Sequence, residues 1–256
     1  MTERSKFDTV AANYASGRPD YPTALYDAVE RRLGRPLAGA DVVDLGAGTG
    51  IASRQLAGRG AVVTVVELSG PMLAQLAATS PGVRAVRGSA TALPLRRHCA
   101  DLVTSAQAWH WMDPARAIPE FMRILRPGGV FAAWWNLTHR DSEWEHEQEL
   151  RIAAADPEWQ RVGRGPYGDR DNEFATYPSL VVRTHEFSWQ RTIPLDRHLD
   201  NLVSKSFIAA LPNRDEFLHE ERVILAKQFP DGYVTERFST RMVTVNVPSI
   251  AEPAAA

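Results

Sequence analysis

The chain has 256 residues, of which 44% are hydrophobic and 23% charged, a composition typical of a globular protein that can bury a sizeable core. Lys and Arg number 29 against 31 Asp and Glu, so the charge balance does not favour a nucleic-acid partner. The single cysteine, Cys99, excludes an intrachain disulfide and a multi-cysteine metal cage. No apolar stretch reaches the roughly 18 residues of a membrane span. We therefore expect a soluble cytoplasmic protein with neither a nucleic-acid nor a membrane partner.

Short β-branched runs alternate with helical stretches from residue 40 onwards. The strand-like DVVDLG, AVVTVVEL and VRAVRG are separated by the helical TGIASRQLAGRG and PMLAQLAATSPG, a rhythm that predicts a parallel sheet with helices on its faces. A strand over 101–108, a helix over 115–125, the helix stop RPGG and the strand VFAAWW at 130–135 continue the pattern. Ahead of these elements, the spacing of apolar residues predicts an amphipathic helix over 22–33.

The second half of the chain predicts two more strands. A charged, aromatic segment after residue 136 favours a helix and then a loop, inserted between strands. Alternating patterns at 181–193 and 237–247 predict strands, with helices between them. We expect one α/β domain with seven strands in total. Its predicted segments are an N-terminal helical segment (1–35), a ligand-binding core (36–135), an inserted cover (136–178), the C-terminal half of the sheet with its helices (179–248) and a tail (249–256).

The strongest local signal is VVDLGAGTG at 42–50, a buried strand that runs into a glycine-rich turn and then a helix. Glycine lets a ligand approach the backbone closely and tolerates positive φ. A dinucleotide site would have a third glycine where this chain has Ile51, and a P-loop would end in Gly-Lys-Ser or Gly-Lys-Thr. Both patterns are missing here. The turn therefore indicates a small-molecule site without a pyrophosphate.

Two acidic residues extend this site. Asp44 precedes the first glycine by two residues, where we expect its carboxylate to hold the amides of the loop and to meet a cationic or amine-bearing ligand. Glu67 ends the second strand, 67 - 46 = 21 residues after Gly46, the offset at which an acidic side chain reaches a ribose diol in nucleoside-binding sheets. The pair indicates a ribose-bearing ligand.

At this point the chain resembles the class I S-adenosylmethionine-dependent methyltransferases over about residues 10–247. VVDLGAGTG, Glu67, GSATALPL at 88–95, AQAWHWMD at 106–113 and LRPGG at 125–129 carry the resemblance through their order and spacing. Within that superfamily it is similar to the small-molecule branch that includes the ubiquinone, menaquinone and trans-aconitate methyltransferases. The His110-Trp111 pair, the N-terminal FDTVAANYASGRPDYP and the later NLVSKSFIAAL are the closest likenesses. The resemblance implies a Rossmann-like, three-layer α/β/α fold whose seven-stranded sheet is mostly parallel with an antiparallel last strand.

The resemblance also implies S-adenosylmethionine as the cofactor and a role for individual residues. Glu67 would bind the ribose hydroxyls, Leu68 would pack on adenine, and Ser89, which stands where many relatives have aspartate, would meet the adenine edge. Arg18 resembles the position that takes the methionine carboxylate, a match in charge and shape. The implied cofactor-binding residues are Arg18, Asp44, Gly46, Ala47, Gly48, Thr49, Glu67, Leu68, Ser89, Ala90 and Gln107.

The acceptor side is defined less sharply. His110 and Trp111 follow the fourth strand, so we expect them at the carboxyl edge of the sheet where ligands bind. His110 is the candidate general base, with shaping of the cofactor pocket as the alternative. Tyr21, Trp111 and Trp135 are the candidate substrate contacts. An aromatic-rich cover, drawn from Trp134, Trp135, Trp144, Trp159, Trp189, Tyr167 and Phe174, would suit a flat or apolar acceptor. His139 and His146 lie among glutamates without a recognised ligand spacing, so no metal is predicted.

Three other functions are alternatives for a sequence of this kind. A nucleic-acid methyltransferase would carry an Asn-Pro-Pro-Tyr-like motif where AQAWHWMDP stands. A nicotinamide-dependent oxidoreductase is disfavoured by Ile51. A cyclase or isomerase that binds the same cofactor without net methyl transfer would share every motif above and stays open. We expect methyl transfer to a small molecule at oxygen, nitrogen or carbon, by a monomer or homodimer.

Overall fold

The computed structural model describes residues 18–138, 142–156 and 173–248. The first half of the chain alternates strands and helices as predicted. Its helices are α1 (Thr23–Leu33), α2 (Ile51–Gly58), α3 (Gly70–Thr79) and α4 (Pro114–Ile124). Its strands are β1 (Asp41–Leu45), β2 (Val62–Glu67), β3 (Arg84–Arg87), β4 (Ala100–Ala106) and β5 (Leu125–Thr138), with a 3-10 turn at Trp109–Trp111 between β4 and α4.

The second half places helices between two long strands. After helix α5 (Glu143–Ala155) come β6 (Val181–Pro194), the helices α6 (Leu195–Val203), α7 (Ser206–Ala209) and α8 (Arg214–Gln228), and finally β7 (Tyr233–Asn246). The seven strands form one sheet in the order β3-β2-β1-β4-β5-β7-β6. The sheet is mostly parallel, with antiparallel pairing among the last strands, which confirms the predicted fold class. Within the described ranges, no helix is long and apolar enough to cross a membrane.

Local sequence signals set the helix boundaries. Helix α1 ends at Gly34, which has φ +72° and donates its N–H to Glu30 O, an αL cap that glycine adopts without strain. Helix α4 begins after Asp113, whose carboxylate accepts the N–H of Ala115 at 3.0 Å, with Pro114 in the first helical position. It ends at Ile124, one residue before the predicted end, and β5 begins at Leu125 and includes the RPGG segment. The expectation that this strand starts at residue 130 was wrong, because the chain passes through a register irregularity opposite Ala100 to Leu102 and continues the sheet.

The described residues fall into two compact units. The core unit comprises 21–135, 173–187 and 241–248, and the helical unit comprises 18–20, 136–138, 142–156 and 188–240. Each has its own apolar core. That of the core unit includes Leu25, Val29, Leu37, Leu56, Val65, Leu102, Val130 and Trp134. That of the helical unit includes Trp144, Ile152, Leu199, Leu202, Phe217, Leu225 and Val234. The single-domain organisation stays a prediction, and parts of the N-terminal segment, cover and tail lie outside the described residues.

The register of the parallel strands brings four strand ends to one edge. Leu45 of β1 pairs with Val66 of β2, Glu67 of β2 pairs with Arg87 of β3, and Ala106 of β4 pairs with Trp134 of β5. Parallel strands share their carboxyl edge, so the residues that follow these pairs are neighbours there. This edge is where ligands bind in open α/β sheets.

Candidate functional site

The glycine-rich loop follows β1 directly and is held against β2, since Gly46 N–H donates to Val66 O at 2.8 Å. All three of its glycines have positive φ, but they differ in what surrounds them. A Cβ on Gly46 would lie 2.7 Å from Ala108 Cβ, and one on Gly50 would lie 3.0 Å from the Leu76 side chain. A Cβ on Gly48 would meet no protein atom within 4 Å. Gly46 and Gly50 therefore permit internal packing, whereas the loop is open to a ligand at Gly48.

Glu67 joins the glycine loop to the end of β2. Its Oε2 accepts the N–H of Gly48 at 2.9 Å and its Oε1 accepts the N–H of Ser69 at 2.8 Å. A carboxylate has about four acceptor sites, so two remain after these bonds. The two amides fix the half-buried carboxylate in one orientation at the carboxyl edge of the sheet. A carboxylate fixed in this way can accept hydrogen bonds from the two hydroxyls of a ribose, and that role of Glu67 stays a prediction.

Asp44 lies behind the loop and is fully buried. Its Oδ2 accepts the Ser53 hydroxyl at 2.6 Å and its Oδ1 accepts the Thr104 hydroxyl at 2.8 Å. Burial, the largest cause, raises the pKa of Asp44 to about 6, although the two hydroxyl hydrogen bonds act in the opposite direction. The expectation that Asp44 holds the loop amides was wrong, because Glu67 accepts the Gly48 amide instead. Asp44 ties β1 to β4 and to helix α2, and its contact with the cofactor stays a prediction.

The residues predicted for the adenine side lie at the ends of β2 and β3. Leu68 follows Glu67 and is 50% exposed, unusual for a leucine beside a buried strand, and an apolar platform of this kind suits a flat ring. The Ser89 hydroxyl lies 2.8 Å from Thr91 Oγ1 and accepts the N–H of Thr91 at 3.2 Å. Ser89 is therefore held in a tight turn, and Ala90 is half-buried beside it.

The segment after β4 packs against the glycine loop through Ala108. Gln107, directly after β4, has φ +55°, a left-handed conformation that costs roughly 1–2 kcal/mol for a residue with a side chain. Its N–H donates to Trp134 O at 2.9 Å, a bond that holds the strained residue in place. Strain of this kind clusters at functional sites. The cofactor contact of Gln107 itself stays a prediction.

The three residues of the 3-10 turn have different environments. Trp109 is fully buried among Phe121, Phe131 and Phe174, and its indole donates to Glu173 Oε2 at 2.7 Å. His110 is half-buried, and its Nδ1 accepts the indole N–H of Trp135 at 3.0 Å. Trp111 is 49% exposed. One buried anchor thus positions a polar ring and an exposed aromatic ring at the edge of the sheet.

Three further predicted substrate and cofactor contacts, Tyr21, Trp135 and Arg18, are bonded to other parts of the protein. Tyr21 is buried, and its backbone N–H and carbonyl both bond the Gln55 side chain. Its ring meets Trp134 edge-on with 5.7 Å between centroids. Trp135 is also buried and donates to His110. Arg18 belongs to the helical unit, where its Nη2 donates to Ser204 O at 3.1 Å. The roles predicted for these residues stay predictions.

The aromatic residues expected in a cover mostly belong to cores. Trp134, Trp135, Trp144 and Phe174 are buried, and Trp189 stacks on Phe238 with 4.7 Å between centroids. Trp159, Tyr167 and His139 lie outside the described residues. The expectation of an aromatic cover is therefore wrong for the four buried rings, because they pack inside the protein. The role of the half-buried Trp189 stays a prediction.

Sequence reasoning missed Ser53, Thr104 and Gln55. Ser53 and Thr104 orient Asp44, and Gln55 ties residue 21 to helix α2. Small hydroxyl residues at buried positions of a helix and a strand are the only local signal for the first two. Their meeting point depends on the register between β1 and β4.

The site fits a nucleoside cofactor. Gly48 leaves open space, Glu67 has acceptor sites left, and the buried Thr49 Oγ1 has no hydrogen-bond partner among the described residues. A small exposed leucine platform adjoins the carboxylate. The Glu67 oxygens can accept hydrogen bonds from hydroxyl groups, the Leu68 side chain offers an apolar surface, and the loop is open at Gly48. Together these features match a ribose joined to a flat base.

Comparison with known proteins agrees with this geometry. A family described as a methyltransferase domain matches residues 43–133. An uncharacterized methyltransferase of Mycobacterium tuberculosis is 35% identical over 222 residues, which cover 86% of this chain and 85% of that protein. An uncharacterized methyltransferase of Schizosaccharomyces pombe is 32% identical over 244 residues, 93% of this chain and 94% of that protein. Among solved structures, one assigned as a type II methyltransferase from Anaeromyxobacter dehalogenans has a TM-score of 0.65 and 25% identity, covering 90% of this chain and 99% of that one.

The fold, the site and these relatives define a methyltransferase. The chain belongs to the class I S-adenosylmethionine-dependent methyltransferases. The resemblance stated from the sequence is thereby confirmed at the level of the class, and the small-molecule branch stays a prediction.

Proposed function

We propose that this enzyme transfers the methyl group of S-adenosylmethionine to a small-molecule acceptor. The observation that carries the proposal is the Glu67 carboxylate, held by the Gly48 and Ser69 amides beside a loop that is open at Gly48. The other residues of this edge would position the cofactor and the acceptor. Leu68 would pack on the adenine, and the segment 107–111 lies beside the loop. The open space at Gly48 is where we expect the cofactor to approach the backbone of the loop.

The cofactor supplies an electrophilic methyl group on a sulfonium. A lone pair of the acceptor forms the new bond to the methyl carbon, and the carbon–sulfur bond breaks with its electron pair going to sulfur. The products are the methylated acceptor and S-adenosylhomocysteine. A neutral alcohol or amine acceptor must also release a proton, whereas an anionic acceptor releases none. The protein contributes chiefly by aligning the two reactants, and such alignment accounts for much of the rate in reactions of this kind.

The test is calorimetric titration of the purified, ligand-stripped protein with S-adenosylmethionine, S-adenosylhomocysteine and NAD. We expect binding of the first two and none of NAD. Gly48→Ala places a methyl group in the open space of the loop. It should raise the dissociation constants of S-adenosylmethionine and S-adenosylhomocysteine at least tenfold. The matched control is Gly34→Ala, because Gly34 also has positive φ and no atom within 4 Å of its Cβ position but lies at the end of helix α1.

Three results would contradict the proposal: binding of NAD alone, binding of none of the three ligands, or wild-type affinity in Gly48→Ala. A loss of affinity in Gly34→Ala equal to that in Gly48→Ala would show that backbone strain, rather than occupied ligand space, causes the effect.

A further inference from the structure

The histidine in the candidate site is held by a neighbour that can only donate. Trp135 Nε1 lies 3.0 Å from His110 Nδ1, and an indole nitrogen is a donor without an acceptor site. Nδ1 of His110 must therefore be the acceptor in this bond and carries no proton. A neutral imidazole with an unprotonated Nδ1 carries its proton on Nε2.

The surrounding structure maintains this arrangement. Trp135 is 1% exposed on strand β5, and His110 lies in the 3-10 turn anchored by the buried Trp109. Rotating the imidazole by half a turn would replace Nδ1 with a carbon and break the bond to a buried indole N–H. Protonating Nδ1 would place two N–H groups against each other. Both alternatives carry the penalty of a buried donor that has lost this acceptor.

We propose that Trp135 fixes His110 in the Nε2–H tautomer, so that the ring offers a hydrogen-bond donor at Nε2 and does not act as a general base. The catalytic consequence rests on the proposed function. A donor at Nε2 replaces the general-base role of His110 that the sequence suggests. Where an acceptor meets Nε2 of His110, the ring can then only donate a hydrogen bond to it, and Trp135 is a positioning residue that acts through His110.

A His110 ring with its proton on Nε2 favours one chemical class of acceptor. An Nε2–H group cannot take a proton from an alcohol or an ammonium, but it can hold an oxygen that already carries a negative charge. Such an oxyanion attacks the methyl carbon with its own lone pair, sulfur receives the electrons of the broken bond, and no proton is released. A His110 held in this tautomer therefore suits an acceptor whose attacking atom is an oxyanion near neutral pH better than one that must lose a proton to the ring.

A second histidine supplies an internal reference. His198 Nδ1 lies 2.7 Å from the Glu236 carboxylate, which accepts hydrogen bonds only, so His198 carries a proton on Nδ1. His110 and His198 therefore differ in the protonation of Nδ1 within one molecule. The ¹⁵N chemical shifts of imidazole nitrogens distinguish protonated from unprotonated atoms.

The test is ¹⁵N NMR of the histidine rings at neutral pH, recorded for the free protein and for its complex with S-adenosylhomocysteine. The His110 signals are assigned by their loss in His110→Gln. We expect an unprotonated Nδ1 and a protonated Nε2 for His110, and a protonated Nδ1 for His198. Trp135→Phe removes the donor, so the two His110 nitrogens should move toward values averaged over both tautomers. Trp134→Phe is the matched control, because Trp134 is the adjacent, equally buried indole and its Nε1 has no hydrogen-bond partner among the described residues.

A protonated Nδ1 with an unprotonated Nε2 in His110 overturns the proposal, as does a His110 spectrum that Trp135→Phe leaves unchanged. The same samples separate this inference from the proposed function. Failure to bind S-adenosylhomocysteine contradicts the function, while the tautomer is still determined in the free protein. Binding together with the wrong tautomer contradicts the inference alone.

Discussion

Two buried carboxylates, one in each compact unit, have opposite pKa shifts. Asp44 in the core unit is bonded only by the neutral hydroxyls of Ser53 and Thr104, and its pKa is raised to about 6. Glu236 in the helical unit is just as buried. Burial acts to raise its pKa as well, but hydrogen bonds and charge from His198, Arg191 and Asn201 outweigh that effect and lower it to about 2. The charge of the partners, and not the depth of burial, decides the direction.

The two sites therefore differ in what they contribute to the protein. Glu236 accepts the Arg191 Nε–H at 2.6 Å and the Asn201 amide at 2.9 Å, besides its contact with His198. These bonds join β6, β7 and helix α6 in a satisfied ionic network. Asp44 has no cationic partner among its described contacts and stays protonatable near the cofactor loop. In the helical unit the Glu236 carboxylate stabilises the structure. In the core unit burial makes the ionised form of Asp44, beside the candidate site, unfavourable.

The largest expected effect is loss of the charge at Glu236. Glu236→Gln leaves the half-buried Arg191 guanidinium and the buried His198 ring beside a neutral amide. Breaking an ion pair whose carboxylate is buried costs up to about 3–5 kcal/mol of the free energy of unfolding. The measurement is guanidinium unfolding at neutral pH, followed by circular dichroism. Asp196→Asn is the control, because Asp196 pairs with Arg222 at the exposed surface, where such pairs contribute about 0–1 kcal/mol. Equal effects of the two substitutions would contradict the distinction drawn between buried and exposed pairs.

The second expected effect is a pH dependence of stability with a definite sign. The folded protein holds the Asp44 proton up to a pH of about 6, whereas the unfolded chain releases it near the ordinary value of 3.8. The folded state binds more protons between these values, so rising pH through this window lowers stability, by about 3 kcal/mol in total. Glu236 acts in the opposite direction, because folding lowers its pKa from 4.5 to about 2. Its stabilising effect is complete above pH 4.5 and is lost as the pH falls toward 2.

Asp44→Asn separates these two contributions. The amide can still bond both hydroxyls but does not titrate. We expect the variant to lack the loss of stability between pH 4 and 6 that the wild type shows, as measured by unfolding free energies at several pH values. The loss attributed to Glu236 below pH 4.5 should remain. Parallel pH curves for wild type and variant would show that Asp44 ionises normally in the folded protein.

The parts of this molecule that the sequence predicts are those set by local signals. The seven strands, the glycine loop and Glu67 follow from short patterns and from a spacing of 21 residues, and the structure places the loop and Glu67 together. The partners of Asp44 and the contact of Trp135 with His110 depend on which strands are neighbours, since β4 lies between β1 and β5. Strand order is a long-range property that no local pattern encodes. The early start of β5 was missed because a Pro-Gly-Gly run ordinarily ends an element, and here it accompanies an irregularity in the pairing.

The smallest expected effect concerns a third carboxylate, Glu67, whose partners are neither hydroxyls nor cations but two backbone amides. It is half-buried, so we expect a modest role in folding, and we expect its remaining acceptor sites to bind the ribose. Glu67→Ala removes charge-assisted bonds to the ribose, which contribute about 1.5–3 kcal/mol to binding. We expect the dissociation constants of S-adenosylmethionine and S-adenosylhomocysteine to rise by about 10- to 150-fold in calorimetric titration. Glu30→Ala is the control, because Glu30 also accepts a backbone amide, that of Leu37, but lies on helix α1. An unchanged affinity in Glu67→Ala would show that the carboxylate only braces the glycine loop, which would make it a structural group like Glu236.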